Sequence, residues 1–423
     1  MKKNDSWLNS TSNSSYYRGS RRGGSTRSLA RFSRLISVVV ILAILISIVQ
    51  LLRPVPSPRA SQSLSDSVIP GQRPSLPWPQ RGGAEVAIQN VGVIGSFNPN
   101  LKIQLASVAK IITALVIVKD HPLTLGSSGP SVTITPKDVA NYRYMVSQQD
   151  SVMGVTVGET LSEYQMLEAL LIPSADNIAV KLAQWDSGST AAFVAKMNAY
   201  AKSLGMNNTA FKDPAGLSSG TMGTASDQVI AGLKLLQNPV LSQIVAKPQA
   251  TFPVVGVQFN VNYNVGHDGF VGIKTGSIGT AANLVFAATG SSGSSDLIVG
   301  AVMGQQGAQP LASVLNASRK LVDAARKIPR QEQVLRKGQL VGAIEAPGNK
   351  PIPVFAAQGA SFLGWPGLKV NYKVSFIKLP RNISAGAKVG TLTVSVGAQS
   401  HTVEIISGSA VKAPSLAWRL ERF

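Results

Sequence analysis

The chain alternates between stretches of sharply different polarity. Residues 1–34 are polar, serine-rich and basic, a composition that reads as disorder. Leu35 to Leu52 follows as eighteen residues without a charge. That length meets the lower limit for a bilayer-spanning helix and exceeds the apolar core of a cleaved signal peptide. No Ala-x-Ala site follows it, so residues 35–52 read as a retained single-pass anchor in the cell membrane, with cleavage as the alternative. Arg18, Arg21, Arg22, Arg27, Arg31 and Arg34 put the amino terminus in the cytoplasm and everything after Arg53 outside. Residues 53–81 read as a linker: Arg53 to Pro79 holds seven prolines and six serines, a composition expected to form an extended spacer.

Beyond the linker, periodicity divides the chain into a first domain, 82–328, and a second, 331–409. Glu85 to Gly95 reads as a strand pair. In Leu105 to Val118, Ile111, Leu115 and Val118 recur at the spacing of a buried helical face, and the alanines favour helix. Ser162-Glu-Tyr-Gln165 is a capping-box pattern opening a helix through Ile172, which Pro173 interrupts. A further helix is expected from Ser174, with others over Thr190–Leu204 and Ala225–Leu236. Val271–Thr275, Asn283–Ala288 and Leu297–Met303 are short apolar runs that suggest antiparallel strands, and Leu311 to Ala325 closes the domain as a helix. The expected fold is mixed α/β: an antiparallel sheet with a helical insertion. The second domain alternates along Lys369–Ile377 and Lys388–Val396 and should be a small all-β sandwich or barrel. In the tail, 410–423, Leu416, Leu420 and Phe423 fall at helical spacing, yet so short a segment is expected to fray.

Composition narrows the chemistry. The chain has 423 residues and no cysteine, which excludes disulfides, a thiolate nucleophile and an iron–sulfur centre. Its three histidines, His121, His267 and His401, form no metal-binding pattern, and no cofactor is expected. Forty basic residues against twenty acidic ones give a formal charge of +20. Eight of the basic residues precede position 35, opposed only by Asp5, and no basic helix interleaved with aromatics occurs. Nucleic acid is therefore not the expected partner, whereas anionic envelope polymers are.

One serine and one lysine break the apolar run at Leu105–Val118. Ser107 and Lys110, three apart on a helix, lie close enough for the amine to reach the hydroxyl, and a desolvated lysine can act as a base toward a serine nucleophile. Ser-x-x-Lys recurs at Ser375–Lys378 and Ser409–Lys412. The former lies on a strand, where residues three apart face opposite ways, and the latter on no long apolar helix. Lys274-Thr275-Gly276 occurs once, on a strand, where a lysine could hold a carboxylate and a glycine admits close approach. Glycines 266, 269 and 272 precede it, but Ile273 intervenes and no helix follows, so a phosphate loop is excluded.

Ser107-x-x-Lys110, Ser174 and Lys274-Thr-Gly276, in that order and setting, resemble the penicillin-recognising serine enzymes. The flanks Ala106-Ser-Val-Ala-Lys-Ile-Ile-Thr-Ala-Leu115, Leu170-Leu-Ile-Pro-Ser-Ala175, Phe211-Lys-Asp-Pro-Ala-Gly-Leu217 and Thr224-Ala-Ser-Asp227 look like the low-molecular-mass D-alanyl-D-alanine carboxypeptidases. The resemblance implies a domain of the DD-peptidase/β-lactamase type, a peptidoglycan stem peptide as substrate and β-lactams as inhibitors. It implies that Ser107 is the nucleophile, Lys110 its base and Ser174 a proton relay. Lys274, Thr275 and Gly276 would bind the terminal carboxylate, and the backbone N–H groups of Ser107 and Ser277 would form the oxyanion hole.

The chain departs from the family pattern twice. The second motif reads Ser174-Ala-Asp176, so a carboxylate stands where the pattern has an amide, with Asn177 one place late. An ionised aspartate accepts hydrogen bonds from substrate but donates none, and its charge favours the protonated form of Lys110. The arginine the family carries after the strand equivalent to Val299–Met303 is absent, and Arg319 comes later. These departures motivate a rival reading, a catalytically weak envelope protein that binds muropeptide. A β-lactamase is disfavoured because no Glu-x-x-Leu-Asn follows Ser174.

Overall fold

The computed structural model describes residues 26–290 and 296–422. Helix α1, Thr26–Leu52, is the long apolar segment, and its stretch Arg31–Leu52 is long and apolar enough to cross a membrane, which is compatible with an anchor. It begins before Leu35, so residues 26–34 are helical rather than disordered. The expected disorder of residues 1–25 lies outside the described residues.

The expected spacer is corrected by the fold. Arg59–Gln62 pairs antiparallel with Leu340–Glu345, and Ser67–Val68 pairs with Lys369–Phe376. Val55, Ile69 and Leu76 are buried. Proline and serine content argued against a packed core, but a chain that borrows the edges of an existing sheet needs only a few apolar anchors. These two segments form the outer strands of a seven-stranded antiparallel sheet, whose inner strands are Leu340–Glu345, Ile352–Ala356, Gln399–Ser407, Lys388–Val396 and Lys369–Phe376. The ribbon Arg330–Leu335 with Ala360–Gly364 completes the all-β unit.

The other domain is built on a five-stranded antiparallel sheet ordered Phe270–Ile278, Ala281–Thr289, Leu297–Gln306, Gly83–Ile88 and Gly92–Phe97. Its inner strands read as continuous apolar runs because both faces are covered. Leu284, Phe286 and Ala288 meet one face's cluster with Val314, Leu321 and Val322, while Val285 and Ala287 join the helical core on the other. Between the outermost strand pair and the rest of the sheet the chain inserts α2 (Lys110–Asp120), α3 (Pro136–Ser147), α4 (Glu163–Leu171), α5 (Asp176–Ser187), α6 (Thr190–Ser203), α7 (Ala225–Leu236) and α8 (Pro239–Val245). Helix α9, Pro310–Ala325, follows the sheet. Helix α2 is the centre of the insertion: every residue from Lys110 to Val118 is buried. Each fully buried aliphatic side chain there is worth about 1.5–3 kcal/mol, which is why a polar Lys110 in this run needs partners.

The tail forms α10, Leu416–Glu421, capped by Ser415, rather than a frayed end. Arg422 donates to the carbonyls of Gln50, 3.1 Å away, Pro54, 3.3 Å away, and Arg53, which ties α10 to the end of α1.

One buried group has no counterpart in the chemistry of the cleft. Glu163, the first residue of α4, is fully buried and neither carboxylate oxygen has a hydrogen-bond partner among the described residues. Burial pushes its carboxyl from the ordinary 4.5 up to about 7. A raised native value means the folded protein holds the proton more tightly, so this residue's stabilising contribution is full below about pH 4.5 and lost as pH rises through about 7. Denaturation midpoints of the wild type should fall across that interval, and Glu163→Gln should abolish this part of the fall.

Candidate active site

The first motif begins at a strained turn. Ala106 has φ +49°, in the left-handed region that a Cβ disfavours, and residues Ala106–Ala109 form a single 3-10 turn that delivers Ser107 to the head of α2. The close approach of Gly216 holds this turn: a Cβ on Gly216 would lie 1.8 Å from the Ala106 carbonyl oxygen. Asp213 fixes the Gly216 loop by accepting from the N–H groups of Ala215, Gly216, Leu217 and Ser218 at 2.6–3.0 Å and from the Thr221 hydroxyl at 2.8 Å. Sequence reading took Phe211 to Leu217 as a family flank and missed this scaffolding role. An aspartate followed by proline and a glycine three residues on is the available signal for such a loop.

Lys110, the first residue of α2, is the hub. Its Nζ lies 2.8 Å from Ser107 Oγ, 3.3 Å from Ser174 Oγ, 2.5 Å from Asp176 Oδ1 and 3.2 Å from the Ala215 carbonyl. Lys110 has no exposed surface, and the Asp176 side chain almost none. An ammonium donates three hydrogens, so four acceptors oversubscribe it, and the two hydroxyls compete with the carboxylate. Ser107 is partly exposed, whereas Ser174 is buried.

Ser174 does not begin a helix as the sequence led one to expect. It sits at φ +68°, and α5 starts two residues later at Asp176. Such a conformation cannot continue a right-handed helix, and it turns the hydroxyl back toward Lys110. Asn177 does not stand in for the amide missing at 176. Its side chain accepts from Met153 N at 3.0 Å and donates to Met153 O at 2.9 Å, clamping the segment before the motif.

The third motif enters from the sheet. On Phe270–Ile278, Lys274 and Thr275 are buried opposite Val285 and Leu284, and Ser277 is exposed. Gly276 lies flush against the serine turn: a Cβ there would come 2.8 Å from the Leu105 carbonyl oxygen and 3.0 Å from the Ser107 nitrogen. Asn283, paired with Gly276, donates to the carbonyls of Gln104 and Leu105 at 2.8 and 3.0 Å and accepts from Gly304 N at 2.7 Å, stitching this strand to the turn. Lys274 Nζ donates to its neighbour's carbonyl at 3.1 Å. Burial, aided by the positive charge of Lys110 and opposed by Asp176, holds the Lys274 ammonium well below the ordinary lysine range. Arg319 lies on the far helix, 3.8 Å from Asp268, and supplies no replacement for the missing arginine.

All three motifs therefore meet: a hydroxyl, a buried amine, a second hydroxyl and a strand-borne lysine close on one cleft. A serine hydroxyl within hydrogen-bond distance of a buried amine is a geometry that serine acyl transfer can use. A model of the D-alanyl-D-alanine carboxypeptidase family, peptidase family S11, matches residues 86–307, and the chain belongs to this family. Among curated relatives, a D-alanyl-D-alanine endopeptidase of Pseudomonas aeruginosa is 36% identical over 189 residues, 44% of this chain and 58% of that protein. The D-alanyl-D-alanine carboxypeptidase DacF of Bacillus subtilis is 27% identical over 318 residues, 71% of this chain and 78% of that protein. The solved structure of penicillin binding protein 6B from Escherichia coli superposes with a TM-score of 0.58 at 20% identity, covering 78% of this chain and 96% of that one, a likeness of fold.

Proposed function

We propose that the chain is a membrane-anchored serine D-alanyl-D-alanine carboxypeptidase that removes the terminal D-alanine from peptidoglycan stem peptides and is inhibited by β-lactams. The observation that carries this reading is the contact of Lys110 Nζ with both Ser107 Oγ and Ser174 Oγ. Ser107 Oγ attacks the carbonyl between the two D-alanines while its proton passes to Lys110. The N–H groups of Ser107 and Ser277 face the developing oxyanion. Collapse breaks the C–N bond, and the proton travels from Lys110 by way of Ser174 to the departing amine. Lys274, Thr275 and Gly276 hold the terminal carboxylate. Water then adds to the acyl-enzyme, Ser107 recovers its proton, and the peptide leaves one D-alanine shorter.

With α1 in the bilayer and the arginines before it in the cytoplasm, both folded domains lie outside the cell. Intact-mass spectrometry after exposure to penicillin tests the nucleophile. One adduct on the wild type and none on Ser107→Ala is the expected result, together with release of free D-alanine from a pentapeptide. An unmodified wild type would overturn the reading. Cleavage of cross-linked dimers in preference to pentapeptides would instead make it an endopeptidase, the activity for which the Pseudomonas relative is named. The 2.5 Å ion pair of Lys110 with Asp176 favours one second reading, a slow enzyme or pure binder, and slow or absent D-alanine release despite intact peptide binding would identify it.

A further inference from the structure

The segment between α3 and α4 brings a second carboxylate beside Asp176 and Lys110. Gln149 takes a left-handed turn, φ +61°, and Asp150 N donates to the Met145 carbonyl at 3.1 Å. The next residue, Ser151, accepts from Asp176 N at 2.7 Å, and Met153 is clamped on both backbone groups by Asn177. Asp150 is thus mounted over the first turn of α5, beside the second motif. It is partly exposed, and its carboxylate has no hydrogen-bond or ion-pair partner among the described residues. The charged groups that act on it are Asp176 and Lys110, the pair beneath the catalytic hydroxyls. Burial and the Asp176 charge push its carboxyl up from the ordinary range while Lys110 draws it down. The acidic character of this wall is therefore uncompensated at its rim, although Lys110 neutralises it at its floor.

We propose that Asp150 is a specificity-determining residue that receives a cationic side chain of the acyl-donor peptide, so that the preferred substrates carry a free amine upstream of the D-alanyl-D-alanine end. A protonated amine at this point gains an opposite charge in a partly desolvated setting, which an acylated or neutral side chain does not. With Lys274 on the strand Phe270–Ile278 as the proposed carboxylate anchor, the site would read its substrate by one charge of each sign. The inference rests on the peptidase reading of the same cleft and names the substrate class within it.

The test compares two peptides on the full-length protein: Nα-acetyl-L-lysyl-D-alanyl-D-alanine, with a free side-chain amine, and its Nα,Nε-diacetyl form. The wild type should favour the free amine by about fivefold in kcat/KM, chiefly through KM, and the preference should shrink with added salt. Asp150→Asn should bring the ratio close to one, and Asp150→Glu should keep it. A purely structural Asp150 would lower both peptides alike and leave their ratio and salt response unmoved. Equal use of the two peptides by the wild type, or a preference surviving in Asp150→Asn, overturns the proposal while leaving the peptidase reading intact. Where neither peptide is cleaved the peptidase reading fails, and the same ratio is then read from competition against fluorescent penicillin; no competition, or equal competition, overturns this proposal as well.

Discussion

Asp176→Asn is expected to accelerate acylation of Ser107 by about tenfold or more while lowering thermal stability. The carboxylate sits 2.5 Å from Lys110 Nζ with both side chains shut off from solvent, so it competes with the Ser107 hydroxyl for the amine. Asparagine keeps the shape and an acceptor oxygen but removes the charge that draws the amine away from Ser107. General-base action contributes about 10²–10⁴-fold, so a partial gain in the engagement of Lys110 with Ser107 is enough for an effect of the stated size. The cost lies in the same pair, since breaking a buried ion pair destabilises by about 3–5 kcal/mol when the remaining charge stays buried. Here the loss should be smaller, because Lys110 keeps Ser107, Ser174 and the Ala215 carbonyl as neighbours. Stopped-flow penicillin acylation and a melting curve measured on the same sample check both halves. A variant that is slower and no less stable would show that the wild-type carboxylate assists the chemistry.

The second large effect concerns Lys274. Replacing it by alanine should lower kcat/KM for peptides ending in a carboxylate by about 10²-fold, because a charge-assisted hydrogen bond in a dry site is lost. The same loss should be far smaller for substrates whose terminus is amidated. The wild-type pH profile carries the same information. In the proposed role Lys274 would hold the carboxylate only while protonated, and its ammonium is held well below the ordinary 10.5. Binding is therefore present at low pH and lost as pH rises through that depressed value. The alkaline limb of kcat/KM should fall earlier than for an exposed lysine, whereas kcat should fall later, because bound carboxylate stabilises the ammonium. An alkaline limb unchanged in Lys274→Ala would assign the titration to another group.

Much of this candidate site was legible in the sequence because its side chains stand at fixed local spacings. Ser107 and Lys110 announce themselves by interrupting a helix that is otherwise apolar, and Lys274-Thr275-Gly276 by its place on a strand. The capping box at Ser162 and the helix Ala225–Leu236 followed from local propensity alone, and both stand as read. What sequence could not carry depends on partners distant along the chain. Asn283 reaches back to Gln104, Asp213 braces a loop against Ala106, and Asp150 earns its position through Ser151 and Asn177. Ser174 was found by motif, yet its left-handed backbone was not, since nothing in serine's propensities foretells φ +68°. The proline-rich segment misled for a related reason: composition describes what a strand can donate alone and is silent about an edge waiting to accept it.

That borrowed edge limits how far the enzyme can roam. Helix α1 ends at Leu52 and the first strand of the β unit begins at Arg59, so only residues 53–58 lie between them. Fully stretched, six residues span about 20 Å. The β unit is thus held on a short tether to the end of the apolar helix. For a chain anchored as proposed, that distance is the farthest the first strand of the β unit could stand from the lipid-embedded helix.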